Sequence, residues 1–108
     1  MPMECTTAEV AQGVLRDCLK PGGRVIPTQH FREELKKEGL TIPDAWHVLR
    51  SGCISKAPEH DIRLREWKYT IEGYAPDGTW LCIVFSLKYA NVACLITVFS
   101  VVAKGRTV

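Results

Sequence analysis

Apolar residues gather in three late runs, Trp67 to Tyr74, Trp80 to Leu87 and Val92 to Val102, whose β-branched and aromatic content predicts strands. Between the first two, Ala75-Pro76-Asp77-Gly78-Thr79 reads as a tight turn. Proline sets its first corner, and glycine takes the positive φ that a three-residue hairpin requires. With Ala75 opposite Thr79, antiparallel partners keep a constant index sum, so Gly73 faces Leu81, Glu72 faces Cys82, Ile71 faces Ile83 and Thr70 faces Val84. A second turn through Lys88-Tyr89-Ala90-Asn91 would set Leu87 against Val92. The same ladder then pairs Phe85 with Cys94, Ile83 with Ile96, Cys82 with Thr97 and Leu81 with Val98.

This register sorts the meander into two faces. Trp67, Tyr69, Ile71, Leu81, Ile83, Phe85, Leu87, Val92, Cys94, Ile96 and Val98 form a continuous apolar surface, the expected core, with Phe85 and Ile96 buried under helices. The other face carries Lys68, Thr70, Glu72, Trp80, Cys82, Val84, Ser86, Leu95, Thr97 and Phe99. A plain solvated face is the ordinary alternative for an antiparallel sheet. Trp80, Val84, Leu95 and Phe99 are too apolar for that and suggest a groove or a covered interface.

Upstream, the period lengthens to that of helices. Thr6-Thr7-Ala8-Glu9 opens a first helix with Glu9 in capping-box position to Thr6; Val10, Val14, Leu15, Cys18 and Leu19 follow, and Pro21-Gly22-Gly23 ends it. Arg24-Val25-Ile26 is a short extended piece before Pro27. A second helix is expected from Thr28 to Glu38 on the seam of Phe31 and Leu35, with Gly39 as its stop. Thr41 caps a third, which buries Ala45, Trp46, Val48 and Leu49 and ends at Ser51-Gly52. Cys53 to Lys56 reads as a short strand and Ala57 to Ile62 as a polar loop. Helices followed by a run of strands make an α+β domain, with the helices segregated on one face of an antiparallel sheet. One domain over 1–108 is expected, with 1–23 a helical extension and 24–103 the core.

Composition narrows the function classes. A net charge of +2 permits an anionic partner without demanding one. Met1 to Cys5 shows no basic start followed by an apolar run, and no stretch has the length of a membrane helix, so a cytoplasmic protein is expected. The five cysteines are odd in number and include no Cys-x-x-Cys pair, so they read as free thiols, with Cys82 and Cys94 on opposite faces. Cys82 as a nucleophile would need a base beside it, and no histidine is fixed there. His30, His47, His60 and the cysteines lack the spacing of zinc ligands, so neither metal nor cofactor is expected.

Thr28-Gln29-His30-Phe31, Gly39-Leu40, Thr41 to Leu49, Ser51 to Ile54, Trp67 to Gly73 and Leu95 to Phe99 together resemble the bacterial family called domain of unknown function 4258. That family is similar to the BrnT and RelE groups of toxin ribonucleases. The resemblance covers about Pro27 to Val101 and implies N-terminal helices against a curved antiparallel sheet. It matches His30 to the family's histidine at the start of its helix, Lys68 to the basic residue of the first long strand, and Thr97 to the threonine of the last strand. The family usually has an arginine one helical turn after that histidine. Glu34 stands there instead, with Arg32 two residues after His30.

The residues can also be weighed as chemistry. Metal-free RNA cleavage needs a base, an acid and a cation beside the phosphate. His30 would act as base or acid, Glu72 as the other, and Lys68 with Arg65 or Arg32 as the clamp. Each has a plainer reading: a helix-start histidine bonded to its neighbours, a solvated strand lysine and, for Thr97, a β-branched strand filler. The expectation is a toxin-like endoribonuclease acting on RNA, with an antitoxin-like protein as the partner that the resemblance implies. The alternative is a non-catalytic module of the same fold, binding a protein or a second copy of itself through Trp80, Val84, Leu95 and Phe99.

Overall fold

The computed structural model describes residues 7–101. Its helices are α1 (Ala8–Cys18), α2 (Gln29–Lys37) and α3 (Ile42–Ser51), and its strands β1 (Arg24–Pro27), β2 (Glu59–Asp61), β3 (Glu66–Tyr74), β4 (Trp80–Tyr89) and β5 (Val92–Ser100). The fold is α+β, with one open sheet in the order β1-β5-β4-β3-β2.

The first hairpin forms as its turn chemistry dictates. Gly78 has φ 90°, the Ala75 amide donates to the Thr79 carbonyl at 2.7 Å, and the Thr79 amide donates to Asp77 Oδ1 at 2.9 Å. The β3–β4 register is the expected one, Thr70 with Val84 through Gly73 with Leu81.

The β4–β5 register departs from expectation at two irregularities. The loop shortens to Ala90-Asn91, so Tyr89 pairs with Val92, and Lys88 is an extra residue before Leu87 meets Ala93. Farther along, Ile96 is the extra residue between the Phe85–Leu95 and Val84–Thr97 pairs. Such bulges each shift pairing by one and turn side chains to the other face. Leu95, expected on the mixed face, is therefore fully buried with Ala93, while Cys94 moves out of the expected core and Ile96 is only half-buried. Cys82 and Cys94 consequently share a face. Cys82 pairs with Phe99 and Cys94 with Ser86, four residues along β4, about 13 Å at strand rise and too far for a disulfide.

The sheet is also mixed rather than wholly antiparallel. β1 runs parallel to β5, Arg24 with Val92 through Pro27 with Leu95. Pro27 has no amide to donate and is tolerated because β1 is an edge strand. Within the expected polar loop, Glu59–Asp61 pairs with β3, whereas the expected Cys53–Lys56 strand contracts to a single bridge between Cys53 and Glu72.

Helix caps follow the sequence closely. Thr28 accepts from the Phe31 amide at 3.2 Å, and Asp44 Oδ2 accepts from both the amide and the hydroxyl of Thr41 at 2.9 Å. The cap of α1 is Thr7, which accepts from the Val10 amide. Thr6, its expected cap, lies outside the described residues. The buried residues of all three helices join one core with Tyr69, Ile71, Leu81, Ile83, Phe85, Leu87, Leu95 and Val98. The opposite face of the sheet, called the open face below, receives no buried helix residue among those described.

Candidate binding face

Three rows cross the open face from β3 to β5. They read Lys68, Ser86, Cys94; then Thr70, Val84, Thr97; then Glu72, Cys82, Phe99, with Tyr74 beside Trp80 at the end of the hairpin. Lys68, Glu72 and Thr97 thus share a face, Lys68 and Glu72 through the expected β3–β4 register and Thr97 because the two β4–β5 irregularities cancel by its position.

Two lysines of this face are engaged, while Arg24 stands exposed at its β1 edge, in register with Val92. Lys68 Nζ lies 2.8 Å from Asp61 Oδ2, and Lys88 pairs with Glu66. The Lys68 hydrogen bond, aided by the Leu64 amide, holds the Asp61 carboxyl below its ordinary range. Asp61 and the strand that carries it are the partners that sequence reasoning missed. The signal was the alternation of Glu59 and Asp61 across a short turn from Lys68, which falls opposite Glu59 and reaches Asp61 diagonally.

Glu72 is held differently. Its Oε1 accepts from Trp80 Nε1 at 3.0 Å and from Cys82 Sγ at 3.4 Å, and its Oε2 from Ser55 Oγ at 3.3 Å. The Trp80 indole is the largest cause of a carboxyl kept below the usual range, against a smaller opposing effect of burial. Cys53 and Glu72 exchange backbone hydrogen bonds of 2.8 and 3.0 Å. The end of α3 can approach this closely because position 52 is glycine: a Cβ there would sit 2.5 Å from the Glu72 carbonyl oxygen.

His30 and Arg32 are exposed on α2, which packs along β5 and buries Phe31 and Leu35 in the core. The helix start is tied to the sheet by Thr28, whose amide donates to the Leu95 carbonyl at 3.0 Å and whose hydroxyl donates to the Ile96 carbonyl at 3.3 Å. The start of the helix that carries His30 is therefore held beside Leu95 and Ile96, whereas Thr97 belongs to the open face. Lys68 and Glu72 lie two strands away, about 10 Å at ordinary strand spacing, on the other face. Arg65 is exposed in the β2–β3 turn at φ 53°, beside exposed Ile62 and Leu64. Of the four residues expected to bind a partner, Phe99 is 43% exposed, Trp80 and Val84 are half-buried, and Leu95 is in the core.

Among the described residues, no three His, Cys, Asp or Glu side chains are grouped to hold a metal ion, and no helix is long and apolar enough to cross a membrane. No match to the chain is found among the curated proteins or the solved structures. Residues 28–100, which carry α2, α3, the β3–β5 meander and hence the whole open face apart from β1, match the model of the family described as Domain of unknown function (DUF4258), and the chain belongs to that family.

Proposed function

We propose that the chain is a protein-binding module and that its open face receives the partner, another protein or a second copy of itself. The observation that carries this reading is the state of the two lysines on β3 and β4. Lys68 and Lys88 are each held by a carboxylate, while Phe99 and Tyr74 are exposed on the same face with half-buried Val84 and Thr97. A face that grips RNA gathers several cations free to reach phosphate. Here Asp61 and Glu66 offset the lysines, and aromatic and apolar side chains supply contact area of the kind that protein interfaces use.

A second reading is the toxin-like, metal-independent endoribonuclease implied by resemblance to the BrnT and RelE groups, with an antitoxin-like protein as partner. The Thr28 anchors favour it, since they bring the start of the helix carrying His30 and Arg32 up to Ile96, next to Thr97.

One set of measurements separates the two. Wild type purified from its native cells and analysed by sedimentation is expected as a dimer or a stoichiometric complex, and Phe99→Asp is expected to return it to monomer. A monomeric wild type that cleaves mixed RNA in chelator, with cleavage lost in both His30→Ala and Lys68→Ala, would overturn the binding-module reading in favour of the ribonuclease.

A further inference from the structure

The open face ends in a cavity of about 370 Å³ between the last turn of α3 and the first hairpin, lined by His47, Ser51, Cys53, Glu72, Tyr74 and Trp80. Its floor is backbone. Gly52 and Gly73 meet there so closely that a Cβ on Gly73 would lie 3.0 Å from the Gly52 Cα.

Two features of the walls are complementary to one kind of ligand. The first is Glu72. Asp61 and Glu66 on the same face are paired with lysines, but none of the salt bridges among the described residues involves Glu72. Its three donors are an indole, a thiol and a hydroxyl, all neutral, and Lys56 acts on it only as a nearby charge. These donors keep the group ionised without cancelling its charge. A carboxylate offers about four lone-pair directions; two on Oε1 and one on Oε2 are taken, leaving Oε2 with capacity for a further donor.

The second feature is aromatic. Tyr74 and Trp80 form an edge-to-face pair with ring centroids 4.6 Å apart and planes at 80°. Ring faces carry negative charge density and attract cations held over them. An ionised carboxylate with no cation in salt-bridge contact among the described residues, beside two aromatic rings in one concavity, selects positive charge on a partly apolar frame. A phosphate or a carboxylate would be repelled.

We propose that this cavity binds an organic cation, the ammonium or guanidinium head of a lysine or arginine side chain, paired with Glu72 and resting on Tyr74 and Trp80. A partner protein is the source we assign to it, a choice that rests on the binding-module reading; a free small amine would share the same chemistry. The indole N–H of Trp80 reports directly on the site because it already donates to Glu72.

The test is an NMR titration of the full chain, following that indole resonance, assigned by its loss in Trp80→Phe. Ethylguanidinium is expected to shift it saturably, and neutral ethylurea to bind at least about ten-fold more weakly, as loss of a charge-assisted hydrogen bond and a cation–π contact implies. Glu72→Gln should bring ethylguanidinium down to the level of ethylurea. Tyr74→Leu, at an exposed position that the fold does not bury, should weaken it several-fold with an unchanged melting temperature. Equal binding of ethylurea and ethylguanidinium, or binding that survives Glu72→Gln, would overturn the cation site. A capped arginine tripeptide should bind at least as tightly as ethylguanidinium; binding of the small cation alone would overturn the partner side chain as the source. Sedimentation keeps the two proposals apart. If Phe99→Asp dissociates the assembly and Glu72→Gln does not, the module stands and the cavity is removed from its interface.

Discussion

The two faces of this sheet hide side chains by different means. On the helix side Tyr69, Ile71, Phe85 and Leu95 are buried because α1, α2 and α3 lie over them, and their apolar area leaves water together in one core. On the open side Cys82 is 2% and Ser86 1% exposed, as hidden as core residues, with no buried helix residue above them. Both are small side chains of the central strand. Cys82 sits between Glu72 and Phe99, and Ser86 between Lys68 and Cys94, whose longer or flanking groups shade them. Burial on the helix side reflects packing, whereas on the open side it reflects shading by neighbours within one layer: the Cys82 thiol donates to Glu72, but the buried Ser86 hydroxyl has no hydrogen-bond partner among the described residues. Low exposure alone does not identify a core residue; its contacts do.

Core truncation should give the largest contrast. Phe85→Ala is expected to cost about 3–5 kcal/mol, the range for a fully buried aromatic, whereas Phe99→Ala on the open face should stay within about 1 kcal/mol. Urea unfolding of both variants measures this. Similar losses would mean that the open face is a second core.

Thiol reactivity resolves the faces at a finer scale. Among the described residues Cys18 and Cys82 are buried, Cys94 is half-buried and Cys53 is exposed, and none is in a disulfide. Cys5 lies outside those residues, so the measurement uses a Cys5→Ser background. Cys53 should react first, then Cys94, with Cys82 and Cys18 last. Burial chiefly, and Asp17 secondarily, push the Cys18 thiol up to about 11. Its thiolate fraction at neutral pH should therefore be about two orders of magnitude below that of an ordinary thiol. Cys18 reacting faster than Cys53 would refute the burial of Cys18 in the core.

The smallest expected effect is acid sensitivity at Glu72. Its folded carboxyl is held below the ordinary value of 4.5, chiefly by the Trp80 N–H. A depressed folded value means that the stabilisation is fully present above 4.5 and is lost as pH falls through the lowered value. Glu72→Gln should therefore be less stable than wild type near neutrality, and the gap should close below pH 4.5. Thermal melting across that window checks the sign; a gap that widens on acidification would show that burial, which opposes the hydrogen bonds, dominates.

Much of the fold was legible because its determinants are local. A Pro-Asp-Gly turn can set a register only by its own geometry, and the β3–β4 ladder came out as that turn requires. Thr28, Thr41 and Gly39 act within a few residues of themselves, so the ends of α2 and α3 were legible too. The candidate face was partly legible for the same reason: Lys68 and Glu72 were placed on it by the turn alone.

Tertiary structure decided what periodicity left open. From Val92 to Val98 the chain is apolar at both parities, with Val92, Cys94, Ile96 and Val98 on one and Ala93 and Leu95 on the other, so no alternation selects a face. The choice came from partners distant in sequence. β1 lies parallel along β5, and Thr28 takes the carbonyls of Leu95 and Ile96, at the point where Ile96 is the extra residue. The same anchors hold α2, and with it His30, at the β5 edge rather than over Lys68 and Glu72. Pairing of Lys68 with Asp61 likewise required β2 to return along β3 across a loop of exposed side chains. The sequence by itself determined the three helices, the strands of the meander, the first hairpin and the polarity of its two sides. Only long-range pairing decided which charges are neutralised and which carboxylate lacks a cation, because that depends on neighbours brought together by the sheet.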